Sequence, residues 1–568
     1  MRLKEYYKDR KNQIITLVFL ITMLIACAPL ISRYCINGHD LEYHLLRIES
    51  LKEGIKIGKP FLRVNTLFFG NAGYASSMFY PDLLLYIPAL LRLLGLSINS
   101  SYHIYVAVCI ILCYLSSYLC IKKMTGSSYG AMISAVILTL SQYHLDDIYI
   151  RSAAGEYTAF IFVPVIVYGI YNIIFEKMDK PQLFVLGYGG LLLSHTSTFV
   201  MCTVFGLLVI LLNIKKIFSD KKILLRLIIS VVVTMLLTCF YWLPMLEQFM
   251  DSTFYVSTPW MQPKDEAVNF LSIFGSQFPA LGYICILILI PRIFIKKKNN
   301  INLITYADLL ILTGAFFTFL SCDILPWSVI GKYISFIQFP WRFFIMGSVL
   351  FSMAAGLIFS VITGKDEDEG IVWELKENGS SFMTSPGIFI LTLVLIINGI
   401  SGINTMIRGS QGYYDYSDDY YSYKPYTANV IAGEWLPDRV KDKDSLIDDS
   451  EFMISDKGKE IDHVRIGNTI EADISGDFEY ADVPFIYYLG YKADLLRDDG
   501  SRKELKVTGE GHNGMCRVYL KDMGTGRLKV YYGGTVLSAL SSLISLLAFI
   551  TVILIGLKYG KKAVKEKK

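Results

Sequence analysis

Several kinds of chemistry are missing from this chain. It has no CxxC pair and no cysteine or histidine spacing suited to a metal. Its ten cysteines fall mostly inside apolar runs, where a thiol packs as a small hydrophobe. The long polar segment near the C-terminus holds a single cysteine, Cys516, which argues against a disulfide scaffold there. The seven histidines, at 39, 44, 103, 144, 195, 463 and 512, form no cluster. There is no Walker A pattern and no GxGxxG placed after a strand, so direct use of a nucleotide is not expected. No basic tract interleaved with aromatics occurs, and the net charge of +4 is therefore no nucleic-acid signal.

What is present is apolar sequence. Hydrophobic residues make up 53% of the 568 positions and the mean hydropathy is +0.44, against about 45–50% apolar in soluble domains. The excess lies in long runs separated by short Lys/Arg-rich loops, the pattern of a polytopic membrane protein. Spans are expected at roughly 14–32, 102–121, 127–144, 157–175, 183–195, 198–214, 223–246, 279–295, 304–321, 336–362, 384–407 and 533–557. The 183–214 stretch reads either as one long helix or as two short ones meeting at SHTST (194–198). Basic residues at both ends favour two. The run Pro81–Ser97 is left out: as an outer-surface amphipathic helix it lets every Lys/Arg cluster fall inside. The expectation is about twelve spans in a plasma membrane, both termini cytoplasmic. The basic start before Ile14 is followed by no clean cleavage site, so the first span is read as retained rather than as a signal peptide.

The outer segments are then 33–101, 145–156, 247–278, 322–335 and 408–532. The last begins with a tyrosine-rich stretch, GYYDYSDDYYSYKPY (412–426). It continues with period-two runs, HVRIGNTIEADI, VPFIYYLGYKADL, RKELKVTG, MCRVYL and GRLKVYY, bounded by Gly and Asp. Such alternation predicts short strands, hence a β-sandwich-like domain over 408–532. It follows a transmembrane domain over 1–407 and precedes a last span and basic tail over 533–568.

Unusual residues concentrate on the outer side. GHDLEYH (38–44) packs His39, Asp40, Glu42 and His44 just past the first span. Asp40 and Glu42 are spaced to serve as a general base or to hold a divalent cation, while Asp40 alone reads equally as the cap of a helix over 41–56. DDIYIRSAAGE (146–156) carries Arg151 and Glu156, which read as an internal ion pair or as a phosphate site. QFPWRF (338–343) places Gln338, Trp341 and Arg342 at the mouth of a span, with Lys332 upstream. Arg342 either snorkels or binds a lipid phosphate there. His195, in LLLSHTSTF, is a packing residue or lines an outward cavity.

The segments GHDLEYHLLRIESLKEG, YASSMFYPDLLLYIPALL, RSAAGE, LLLSHTSTF, QFPWRF, GEWLP (433–437) and VPFIYYLGY (483–491), in this order, resemble the GT-C superfamily of integral-membrane glycosyltransferases. Within it they are similar to the YfhO-like bacterial membrane proteins, a group that also carries the label "6-pyruvoyl-tetrahydropterin synthase-related". The resemblance implies a GT-C-like membrane domain with two surface helices, about 41–56 and 82–96. It also implies a catalytic base in the first outer loop, matched by Asp40, with Glu42 beside it. The donor would be a polyprenyl-phosphate sugar and the acceptor a cell-envelope polymer such as teichoic acid. Arg151, Arg342 and Lys332 would face the donor phosphate, and His39, His44, Glu156, His195, Gln338 and Trp341 the acceptor cavity. The pair here is D-x-E rather than D-x-D, so a Mg or Mn ion at Asp40 and Glu42 is left open. Pterin chemistry would need a histidine cluster that the chain lacks. The alternatives are a transporter or flippase, which internal repeats would favour and none is clear, and a non-catalytic scaffold for envelope assembly.

Overall fold

The computed structural model describes residues 2–257, 262–283, 290–293, 295, 300–334, 337–364, 412–414 and 433–566, with isolated residues between 396 and 407. Among these, seven helices are long and apolar enough to cross a membrane: Lys11–Ile31, Ile98–Thr125, Ala154–Phe175, Lys221–Asp251, Ile301–Leu320, Pro340–Thr363 and Val536–Leu557. Four shorter apolar helices accompany them: Leu83–Leu93, Ser128–Thr139, Gln182–Leu192 and Thr196–Leu212. The 183–214 stretch is thus two helices, broken at Leu193–His195. The expected span 127–144 is likewise shorter: it stops at Thr139, and a separate helix, Gln142–Tyr149, follows. Of the expected span 279–295, residues 284–289 and 294 fall outside the described residues, and the expected span 384–407 falls largely outside them.

The chain divides into two compact units. The first comprises Met1–Leu41, Tyr102–Thr234 and Met261–Asp415. Its interior holds Pro340–Thr363, whose residues from Phe344 to Ser360 are all buried. Small residues let neighbours approach: a Cβ on Gly130 would fall 2.0 Å from Ser360 Oγ, the close contact that small residues give membrane helices.

The second unit comprises Glu42–Ser101, Met235–Trp260 and Tyr416–Lys568. Its helix Leu41–Lys56 has the bounds read from its apolar spacing. A short 3-10 turn, Leu83–Leu85, leads into the amphipathic helix Tyr86–Leu93. With β1 (Cys35–Ile36) and β2 (Tyr413–Tyr414) as the first two strands of the chain, the β region of this unit contains β3 (Met453–Ser455), β4 (Glu460–Ile461), β5 (His463–Ile466), β6 (Thr469–Ile474), β7 (Tyr480–Ile486), β8 (Tyr491–Arg497), β9 (Arg502–Leu505), β10 (Val507–Thr508), β11 (Met515–Tyr519) and β12 (Gly526–Tyr532). They form two five-stranded sheets, β10-β11-β7-β3-β4 and β5-β6-β12-β8-β9. Alternation sets the register. Leu528 pairs with Ala472 and Leu495, and Val530 with Ile470 and Ala493, all buried. Between them Lys529 pairs with Glu471 and Asp494 on the other face. One apolar core takes in strand residues together with Phe68, Tyr74, Phe79 and Phe254. Phe79 and Trp435 stack at 5.0 Å, which gives the GEWLP segment its place.

Candidate functional site

The site lies in the first unit and begins at the GHD of GHDLEYH. The β1–β2 ladder pairs Cys35 with Tyr414, and Asn37 N–H donates to Gly412 O at 2.7 Å. The next residues switch partner: His39 N–H donates to Ile150 O (3.1 Å) and Asp40 N–H to Arg151 O (2.8 Å). This approach needs Gly38, because a Cβ there would fall 2.2 Å from Ser152 Oγ. Asp40 stands immediately before the helix Leu41–Lys56. Its carboxylate is 44% exposed and lies 3.7 Å from Arg151 Nη2. Among the described residues it makes no side-chain hydrogen bond, so the helix cap expected of Asp40 is not formed and both oxygens stay available.

Arg151 is the hub. It donates to Asp147 Oδ1 at 2.9 Å and to Glu156 Oε2, and its guanidinium lies 4.5 Å over the Trp341 ring. Tyr143 donates to the other oxygen, Glu156 Oε1, at 2.9 Å. Arg342 Nε lies 3.6 Å from Glu156 Oε2, while its Nη1 donates to Ile337 O and to Gln338 Oε1, each at 2.9 Å. Gln338 reaches that position with φ of 60°, a backbone state uncommon for a side chain of its size. The Trp341 indole donates to Glu266 at 3.3 Å and packs on Phe278 and Phe339. His195 is buried, hydrogen-bonded to Thr198 Oγ1 at 2.7 Å, and in electrostatic reach of Glu156, Arg342 and Arg151.

The charges are tuned by burial. Burial disfavours the charge of Arg151, but Glu156 and Asp147 outweigh it and hold the guanidinium well above its ordinary range. Burial, with the Glu156 carboxylate beside it, pushes Asp147 well above the usual carboxylate range against the pull of Arg151. Asp147 Oδ2 is buried and has no hydrogen-bond partner among the described residues. Glu156 is therefore the charged counter-ion shared by two arginines. At the rim, burial outweighs the pull of Asp40 and, with Arg151, holds the His39 imidazole below its ordinary range.

The structure brings Asp40, Arg151, Glu156, Arg342, Gln338 and Trp341 together, with His195 in electrostatic reach and His39 at the rim, near Phe278 (ring centroids 6.1 Å). Lys332 is exposed on the turn after Trp327–Ile330, and no ion pair joins it to the cluster among the described residues. Glu42 and His44 belong to the second unit. His44 lies 3.2 Å from Arg47 Nη1, in a pocket where Arg47 is also ion-paired to Asp82. No three His, Cys, Asp or Glu side chains converge as metal ligands among the described residues. Within the first unit the charged neighbour of the Asp40 carboxylate is the Arg151 guanidinium. Sequence reasoning passed over Asp147, Tyr143 and Gly38. The signal for Asp147 was an i,i+4 spacing to Arg151 on one helical face.

A family profile described as "Family of unknown function (DUF6541)" matches residues 14–323, more than half of the chain. The chain belongs to this family. The matched range of the DUF6541 profile covers Asp40, Asp147, Arg151, Glu156 and His195 and stops short of Gln338–Arg342. No curated protein matches the chain. Among solved structures, it is similar to the arabinofuranosyltransferase AftD from Mycobacteria. That match has 12% identity and a TM-score of 0.46, over 72% of this chain and 28% of that one. It is also similar to the archaeal oligosaccharyltransferase AglB from Archaeoglobus fulgidus, in complex with an inhibitory peptide and a dolichol-phosphate. There the identity is 14% and the TM-score 0.37, over 72% of this chain and 57% of that one. The chain thus spans less than two thirds of the length of either solved chain.

Proposed function

We propose that this DUF6541 member is a GT-C-type glycosyltransferase of the YfhO-like kind in a bacterial plasma membrane. It moves a sugar from a polyprenyl-phosphate donor to a cell-envelope glycopolymer on the outer leaflet. The observation that carries the reading is an accessible carboxylate, Asp40, held by backbone bonds to Ile150 and Arg151 at the edge of a buried cationic cluster. Donor and acceptor chemistry need this pairing. Asp40 takes the proton of the acceptor hydroxyl. The hydroxyl oxygen bonds to the anomeric carbon while the bond from that carbon to the phosphate oxygen breaks, and the electron pair leaves on the polyprenyl phosphate. Arg342, less deeply buried than Arg151, stabilises the leaving phosphate. Arg151 is a positioning residue: it holds Asp40 in place and is itself fixed by Glu156 and Asp147.

The test is transfer of radiolabelled sugar from polyprenyl phosphate to envelope polymer by the purified full chain. Asp40→Asn is expected to lower kcat by at least about 100-fold, the usual worth of a general base, with KM little changed. Transfer undiminished in Asp40→Asn would remove Asp40 from the chemistry.

A further inference from the structure

In the second unit, most cations of the segment 42–101 have an acid partner. Arg47 pairs with Asp82, Lys52 and Lys56 with Glu49 and Glu53, and Arg92 with Glu49. Lys59 and Arg63, in the run KPFLR, form no ion pair among the described residues, although Asp82 lies within electrostatic reach of Arg63. Burial lowers both, and Lys529 adds like charge next to Lys59. Between them Phe61 is 76% exposed, and its ring lies 6.4 Å from that of Tyr86. Tyr86 donates to Pro60 O at 2.7 Å, which ties this run to the amphipathic helix Tyr86–Leu93. On that helix and just past its end, Leu90 and Leu94 are 51% and 77% exposed.

The place of Arg63 follows from its neighbours. Its Nη2 donates to Phe240 O at 2.5 Å, and Phe240 N–H donates to Ser545 Oγ at 3.0 Å. Ser545 lies about 14 Å into the span that begins at Val536, at 1.5 Å per residue. The Phe240 carbonyl points back toward that end. Arg63 is thus held against the side of the apolar helix Lys221–Asp251, where a cation must snorkel or draw an anion to it.

We infer that Lys59 and Arg63, flanking the exposed Phe61, bind the phosphate of an anionic bilayer phospholipid, which supplies the ion-pair partner that neither side chain has among the described residues. The bound lipid anchors the second unit to its leaflet. Native mass spectrometry of the full chain in detergent, titrated with phosphatidylglycerol, tests this. The wild type is expected to retain the lipid, and Lys59→Gln/Arg63→Gln to bind it at least about tenfold more weakly. Lys52→Gln/Lys56→Gln, which removes paired cations, is expected to bind as the wild type does, and Lys59→Arg/Arg63→Lys to retain the lipid, which separates lost charge from lost fold. Equal phosphatidylglycerol binding by the wild type and Lys59→Gln/Arg63→Gln would overturn the assignment. So would binding of polyprenyl phosphate alone, or full displacement of the lipid by inorganic phosphate at millimolar concentration. The first of these would make the site a donor site, and the second a general anion site.

Discussion

Glu156→Gln tests whether the buried cluster is held by charge. Glu156 is 1% exposed and faces Arg151, Arg342 and Tyr143. At 3.6 Å its attraction to Arg342 alone is about 4–5 kcal/mol for an effective dielectric of about 20. Glutamine keeps an oxygen for Tyr143 but leaves two guanidinium groups without their shared counter-ion. Asp147 can lose its proton and restore part of the balance. The expected cost is therefore roughly 3–5 kcal/mol, as for a buried pair that loses one member. The assay is unfolding of the full chain in mixed micelles with rising SDS. Arg151→Met should cost a similar amount, and the Arg151→Met/Glu156→Gln double variant about 2 kcal/mol or more less than the sum. Strictly additive costs, or a Glu156→Gln variant as stable as the wild type, would show that the cluster is not an ion-pair network.

Three further outcomes follow from the same geometry. Asp147 has a raised folded pKa, so its stabilisation is complete below the unfolded carboxylate value and is lost as pH rises through the folded one. Asp147→Asn should therefore match the wild type only below the unfolded carboxylate value, about 3.9, and be increasingly the more stable form as pH rises from there toward the folded value, and parallel pH profiles of thermal midpoint would contradict this. Gly38→Ala should cost about 1–3 kcal/mol and lower transfer activity by moving Asp40, with Ser152→Gly restoring only part of both because the residue-152 backbone N also lies 2.9 Å from that Cβ; Gly38→Ala with wild-type activity would refute the close approach. If Arg342 stabilises the leaving phosphate, Arg342→Ala should lower kcat by about 100-fold or more. Arg342→Lys should recover part of that loss through charge without the planar fork, and equal activity of Arg342→Ala and the wild type would remove Arg342 from the step.

Much of the fold was legible because periodicity carries it. The helix Leu41–Lys56 and the strands β5 to β12 fall where apolar spacing and Gly/Asp punctuation put them. The two β-strands Met453–Ser455 and Glu460–Ile461 were not foreseen, being too short to show a period. The break at Thr139 was also missed: Ser128–Thr139 is apolar and buried, and the helix Gln142–Tyr149 begins so close behind it that hydropathy carries the run on to His144. Within the site, Asp40, Arg151, Glu156 and Arg342 stood out as charges beside apolar sequence, and the structure brings them together. Asp147 was overlooked because an acid next to another acid in a loop reads as solvated, whereas here both are buried. Lys332 was drawn in by proximity in sequence alone. The cap expected of Asp40 failed for a related reason: backbone bonds to Ile150 and Arg151 fix its position from outside the helix it precedes.

The most direct measurement is a mass-spectrometric comparison of cell-surface glycopolymers in three strains: wild type, deletion, and deletion complemented with Asp40→Asn at equal membrane abundance. Loss of one sugar decoration in the deletion, not restored by Asp40→Asn, is the predicted result, and the missing mass identifies the sugar. Full restoration by Asp40→Asn would contradict the catalytic assignment and favour a transport or scaffold role.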